Sequence, residues 1–270
     1  MSQATYAGIN TKYAVKSDRI TQKYPALQAT TYQPRSLDEE IEFCFSEASY
    51  SLLETEELFN TKIVKCAYKR DSVLMHQIIS PVRWIFLNAP RIFLQDKKTK
   101  EITYPEKGVK LAGTDKVTIA KCFLACLNGD RLILNEKRLP QIFTLKLTSN
   151  KTKLIGYLNN QSETKTILSL NNSLQQHFKT QDNLLHLVSV DLIVRPQEFV
   201  SSHSGESSLG IEFAMKGDAR VLSAEYQKQI FELISNEDIK DVLDDPFGLR
   251  KDRSHDAASR NLTEDSDIDF

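Results

Sequence analysis

The residues Asp265-Ser266-Asp267-Ile268-Asp269-Phe270 set three carboxylates around two large apolar side chains at the end of the sequence. Chain ends are usually untethered, so a role in a core does not account for Ile268 and Phe270. The chemistry expected of such a peptide is docking. Phe270 fills an apolar pocket on a partner, its α-carboxylate meets an Arg or Lys, and Asp265, Asp267 and Asp269 are steered by a basic rim.

A second group of residues points to a different chemistry. Arg91 to Lys153 contains 14 bases and 6 acids, a local net charge of +8, with Trp84, Phe86, Phe93, Tyr104, Phe143 and Tyr157 in or beside it. Single-stranded nucleic acid is held by this combination: a basic groove follows the phosphates, and aromatic faces stack the bases at about 1–3 kcal/mol each. The candidate contacts are Trp84, Arg91, Phe93, Lys97, Lys98, Lys100, Tyr104, Lys146, Lys151 and Lys153. Phe93 and Tyr104 flank the Lys97-Lys98-Lys100 turn and are the first choices for stacking. Composition alone leaves open the simpler reading that the charges solvate sheet edges and most of the aromatics are core.

Catalytic patterns are not apparent. The sequence contains no GxxxxGK[ST] loop, GxGxxG, GxSxG or HExxH. The five histidines are scattered, and His186, alternating with apolar neighbours, reads as a sheet residue. Eight acids and no base lie between Asp38 and Asn60, without the spacing of a metal-binding loop, and read as a solvated face. Cys122 and Cys126 lie four apart in an apolar segment, consistent with one face of a helix. No cofactor or metal is expected.

The elements that must position these residues are legible in part. In a chain of 270 residues with 40% hydrophobic and 26% charged content, most of the length can bury a core. Asn236 to Phe270 carries 11 acids and 5 bases, net −6, which leaves a body of net +5. A basic body joined to an acidic tail suggests polyanion binding. Residues 1–36 are polar and Tyr-rich and read as an arm, packed on the body or on a neighbouring subunit. Asp38 to Leu58 is expected to hold a short helix through Leu52, Leu53 and Leu58.

Val82 to Leu87 and Arg91 to Gln95 read as strands, with a charged turn at Asp96 to Lys100 and a return strand at Glu101 to Tyr104. Thr118 to Leu127 reads as a short buried helix, followed by a turn at Asn128-Gly129-Asp130 and by Arg131 to Leu134. Gln141 to Thr148 alternates as a half-buried strand, and Leu168, Leu170 and Leu174 anchor a short helix. Leu184 to Phe199 and Leu209 to Lys216 form a hairpin. Ala224 to Ser235 is a helix docked through Tyr226, Ile230, Phe231 and Ile234. The expected fold class is α+β and β-rich. Two architectures remain: an OB-like barrel, or an open antiparallel sheet with a few short helices. The expected organisation is an arm (1–36), a nucleic-acid-binding body (37–240) and a flexible, disordered acidic tail (241–270).

The terminal hexapeptide resembles the acidic tip of bacterial single-stranded DNA-binding proteins, which typically ends Asp-Asp-Asp-Ile-Pro-Phe. Asp265, Asp267, Ile268 and Phe270 match that pattern in place, while Ser266 replaces an Asp and Asp269 replaces the Pro. The resemblance covers about six residues closely and the acidic tail loosely, and does not extend to the body. It implies a non-enzymatic single-stranded DNA-binding protein whose tip recruits replication, recombination or repair proteins. Ile268 and Phe270 would be the anchors, and Asp265, Asp267 and Asp269 the steering charges. No secretory leader pattern opens the sequence and no apolar run approaches 18 residues, so the expected location is cytoplasmic, on nucleoid, plasmid or phage DNA. Two other readings stand beside it: an adaptor with the same docking tail and no nucleic-acid role, and a divergent nuclease using the Asp38 to Glu57 acids.

Overall fold

A computed structural model describes residues 24–46, 64–70, 72–78, 82–105, 115–135, 137–148, 159–160, 166–200 and 205–249. The strands in chain order are β1 (Ala26–Ala29), β2 (Phe43–Ser46), β3 (Val64–Arg70), β4 (Val73–Ile78), β5 (Val82–Phe86), β6 (Ile92–Asp96), β7 (Ile102–Thr103), β8 (Lys116–Asn128), β9 (Arg131–Leu132), β10 (Phe143–Thr148), β11 (Asn159–Asn160), β12 (Val188–Val200) and β13 (Ser207–Val221). Three α-helices join them: α1 (Ile167–Phe178), α2 (Ala224–Ser235) and α3 (Glu237–Asp244). The fold is α+β and β-rich.

The strands form one sheet in the order β11-β13-β12-β5-β8-β10-β1-β2-β4-β3, with β6, β7 and β9 attached beside β8. Neighbours are antiparallel except at β1–β10 and β11–β13, which are parallel. The sheet curls. Phe43 of β2 and Phe213 of β13 belong to strands six places apart in that order, yet their rings stack with centroids 5.6 Å apart. The concave face holds the main core, in which Trp84 packs edge-on to Phe143 at 5.5 Å. Helix α1 seals this core with Ile167, starting from a reciprocal cap. Ser169 N–H donates to Thr166 Oγ1 at 3.0 Å, and Thr166 N–H donates to Ser169 Oγ at 2.7 Å.

Strand β8 is the spine of the sheet, and it replaces the helix expected over Thr118 to Leu127. A continuous apolar run does not separate a buried helix from a strand covered on both faces. Here Ala120, Cys122, Leu124 and Cys126 enter the concave core, while Ile119, Phe123, Ala125 and Leu127 face the convex side. Cys122 and Cys126 therefore share a face, but of a strand. Burial pushes the Cys122 thiol up to about 12, and raises that of Cys126 as well.

Four other expectations change. Phe43 to Ser46 is a strand rather than part of a helix, and residues 47–58 lie outside the described residues. Ala26–Ala29 belongs to the sheet rather than to an arm, because it pairs with β10 on one side and β2 on the other. His186 lies in a single 3-10 turn, Leu185–Leu187, that leads into β12. Helix α2 docks on the convex face through Ile230 and Leu233, with Phe231 turned outward and 59% exposed. The hairpins β6–β7 and β12–β13 form as expected. The body also runs past Asp241: α3 ends at Asp244, Phe247 packs on Phe93, and Leu249 packs on the cluster of Phe93, Val117 and Ile119. Among the described residues no helix is long and apolar enough to cross a membrane.

Candidate functional site

Of the expected cations, Lys146 lies on the convex face of β10, and Lys97, Lys98 and Lys100 lie in the turn that follows β6. Phe93 pairs with Ile119 and Gln95 with Val117 across β6–β8, and Lys121 pairs with Lys146 across β8–β10. Alternation along each strand turns all of these side chains to the same face. The β6–β7 turn is tied down by Asp96, whose Oδ1 accepts N–H bonds from Lys98 at 2.7 Å and Thr99 at 2.8 Å. Those two bonds hold the Asp96 carboxyl below the usual carboxylate range. Lys100 adopts a left-handed conformation, φ +64°, that closes the turn.

Polar contacts connect the turn to the sheet. Gln95 Nε2 donates to the Lys100 carbonyl at 3.1 Å, and Lys146 Nζ donates to Gln95 Oε1 at 3.3 Å. Lys97, Lys98, Lys100 and Lys146 are exposed. Lys98 lies 4.0 Å from Asp115, an exposed pair that contributes little stability. Arg91 is exposed just ahead of β6.

Lys121 was not among the sequence candidates, although a lone lysine inside the apolar run Thr118 to Leu127 was a signal of its position. The edge of β8 pairs first with β6 (Lys116 to Ala120) and then with β5 (Leu124 to Asn128). Asn88 fills the gap between them. Its Oδ1 accepts from Phe123 N–H at 2.8 Å, and its Nδ2 donates to the Lys121 carbonyl at 3.3 Å. Lys121 Nζ donates to the Pro246 carbonyl at 3.2 Å and lies 5.1 Å and 5.7 Å from the ring centroids of Phe123 and Phe247. Burial, and then the charge of Lys146, lower the Lys121 pKa.

The aromatic half of the expected site is inside the protein. Trp84 and Phe93 are each 1% exposed, and Phe86 and Phe143 are buried with them. Trp84, Phe86 and Phe143 point into the concave core because that core needs large side chains to fill the curl. Phe93 lies on the convex face but is covered by Tyr104, at 5.1 Å, and by Phe247, at 4.9 Å between ring centroids. These four rings cannot stack bases as they stand. Tyr104 is half-buried. Tyr157, Lys151 and Lys153, and the tip residues Asp265, Asp267, Ile268, Asp269 and Phe270, lie outside the described residues.

Among the described residues no three His, Cys, Asp or Glu side chains are grouped closely enough to hold a metal ion. No protein-family model, no curated protein and no solved structure matches the chain.

Proposed function

We propose that this chain is a non-enzymatic single-stranded DNA-binding protein. Its body holds the strand by the phosphates, through the exposed Lys97, Lys98, Lys100 and Lys146. Its tip, Asp265 to Phe270, docks replication, recombination or repair proteins. The curled sheet is read on the same footing as an enlarged OB-like scaffold. The observation that carries the proposal is the contact chain from the Lys100 carbonyl through Gln95 to Lys146, with Lys121 beside it in register. A face with several cations and few compensating acids attracts a polyanion without reading its sequence. With Phe93 and Trp84 buried, stacking contributes less than phosphate contact, and Tyr104 is the aromatic best placed to meet a base.

A fluorescence titration of oligo-dT against duplex DNA at two salt concentrations tests this. Four neutralised phosphates give a slope of log K against log salt of about −2.8 for a single strand. The Lys146→Gln variant should flatten that slope by about 0.7. Salt-insensitive binding, or equal preference for duplex, would overturn the proposal. The burial of Trp84 and Phe93 favours one alternative, an adaptor whose tip alone is functional, and salt-insensitive binding would leave that reading in place.

A further inference from the structure

A cavity of about 540 Å³ opens between β2, β4, β5 and β12. Among the described residues β5 pairs with β12 at Val190 and Asp191, and β12 continues to Val200. Residues 192–196 of β12 line the cavity. The floor is apolar, made by Phe43, Ile78, Val82, Trp84, Leu192 and Val194. The volume falls in the range of ligand clefts, and each of these floor residues is 7% exposed or less.

The rim is acidic. Asp38, Glu39, Glu40 and Glu42 line it against Arg195 and Lys216. Arg195 is already neutralised, since its Nε and Nη2 donate to Glu212 Oε2 at 3.1 and 2.8 Å. Glu42 accepts from Gln77, and Glu39 accepts from the Arg35 N–H. Asp38 and Glu40 are exposed at the mouth, next to Leu37, an apolar side chain that is 56% exposed. An occupant of this site should therefore combine apolar side chains for the floor with cations for the rim.

The chain carries such a segment ahead of Tyr24. Lys12, Lys16, Arg19 and Lys23 recur at intervals of four, three and four, and Asp18 is the one acid among residues 1–23. Tyr6, Ile9, Tyr13 and Ile20 recur at three, four and seven. On a helix of 3.6 residues per turn these sets would fall on two adjacent stripes, one basic and one apolar. The C-terminal tail has the opposite charge and would be repelled by the rim. We infer that the cavity is the docking site of the cationic segment Met1 to Lys23, with Tyr6, Ile9 and Tyr13 entering it and the basic stripe lying against Asp38 and Glu40. Twenty-three residues extend up to about 75 Å, enough to reach the cavity of the same body or of a second copy. This inference is independent of the nucleic-acid reading.

Photo-crosslinking in the full chain tests it. A benzophenone amino acid replaces Leu37, and peptides joined on irradiation are identified by mass spectrometry. Cross-links should fall within residues 1–23. The double variant Asp38→Lys, Glu40→Lys should reduce them roughly five-fold, the effect of two lost surface ion pairs. Adding Lys12→Glu and Lys16→Glu to that variant should restore them. Mixing isotopically heavy and light chains reports which copy supplies the segment, and a cross-link of either kind supports the assignment. Cross-links to any other segment, none at all, or a yield indifferent to charge reversal would overturn it.

Discussion

Phe247 stands edge-on to Phe93, with ring centroids 4.9 Å apart and planes at 72°. The contact joins the stretch after α3 to β6, the strand that leads into the Lys97-Lys98-Lys100 turn. Gly248, at φ +72°, turns the chain over that contact, and Leu249 N–H donates to Asp245 Oδ1 at 2.9 Å to hold the turn. Phe247→Ala should lower stability by about 1–3 kcal/mol, less than a fully buried Phe because Phe247 is half-exposed. A chain ending at Leu249 should match the full chain in urea, whereas one ending at Asp244 should lose at least as much as Phe247→Ala, since it also removes Leu249 and the Pro246 carbonyl. Equal midpoints for the two truncations would refute the packing role.

Arg83 fastens the β12–β13 hairpin to β5. It is 7% exposed, and its guanidinium donates to Asp191 Oδ2 at 2.7 Å, Ser189 O at 2.7 Å and Ser189 Oγ at 3.1 Å, across the bulge between Ser189 and Asp191. Removing Asp191 alone leaves a buried cation without its counter-charge. Asp191→Ala should cost about 2–3 kcal/mol, the low side of the range for broken buried pairs because Asp191 is partly solvated. The double variant Arg83→Met, Asp191→Leu should cost less than the single one, since it removes both charges and keeps the volume. Chemical denaturation of the three proteins decides it, and a double variant worse than the single would contradict the account.

Lys121 and Lys146 pair across β8–β10, and burial, then the charge of Lys146, opposes protonation of Lys121. Lys121 should titrate below the ordinary lysine value of about 10.4. A base whose pKa falls on folding binds its proton less readily in the folded chain. Lys121 therefore lowers stability below its folded pKa, and that stability returns as pH rises from there toward the ordinary value. Lys146→Gln removes the like charge and should move the Lys121 midpoint upward. NMR titration of the Lys121 side chain checks both statements, and a midpoint unmoved by the substitution would mean that burial alone sets it.

Local patterns were enough for the β6–β7 and β12–β13 hairpins, for α1 and for α2. Each is specified by residues close in sequence: an Asx-type turn at Asp96, two long alternating runs, and an apolar stripe from Tyr226 to Ile234. Composition likewise placed Lys97, Lys98, Lys100 and Lys146 as cations of one region. It could not distinguish a helix from a central strand at Thr118 to Leu127, because a run buried on both faces has no period to read. Nor could it place the four-residue β1, whose pairing with β10 joins residues more than a hundred positions apart. The exposure of Trp84 and Phe93, the seat of Phe247 and the pairing of Lys121 with Lys146 were decided only by the folded sheet. Charge and periodicity are properties of neighbours along the chain, whereas burial and register arise from strand pairings and packing between distant segments, which no local window contains.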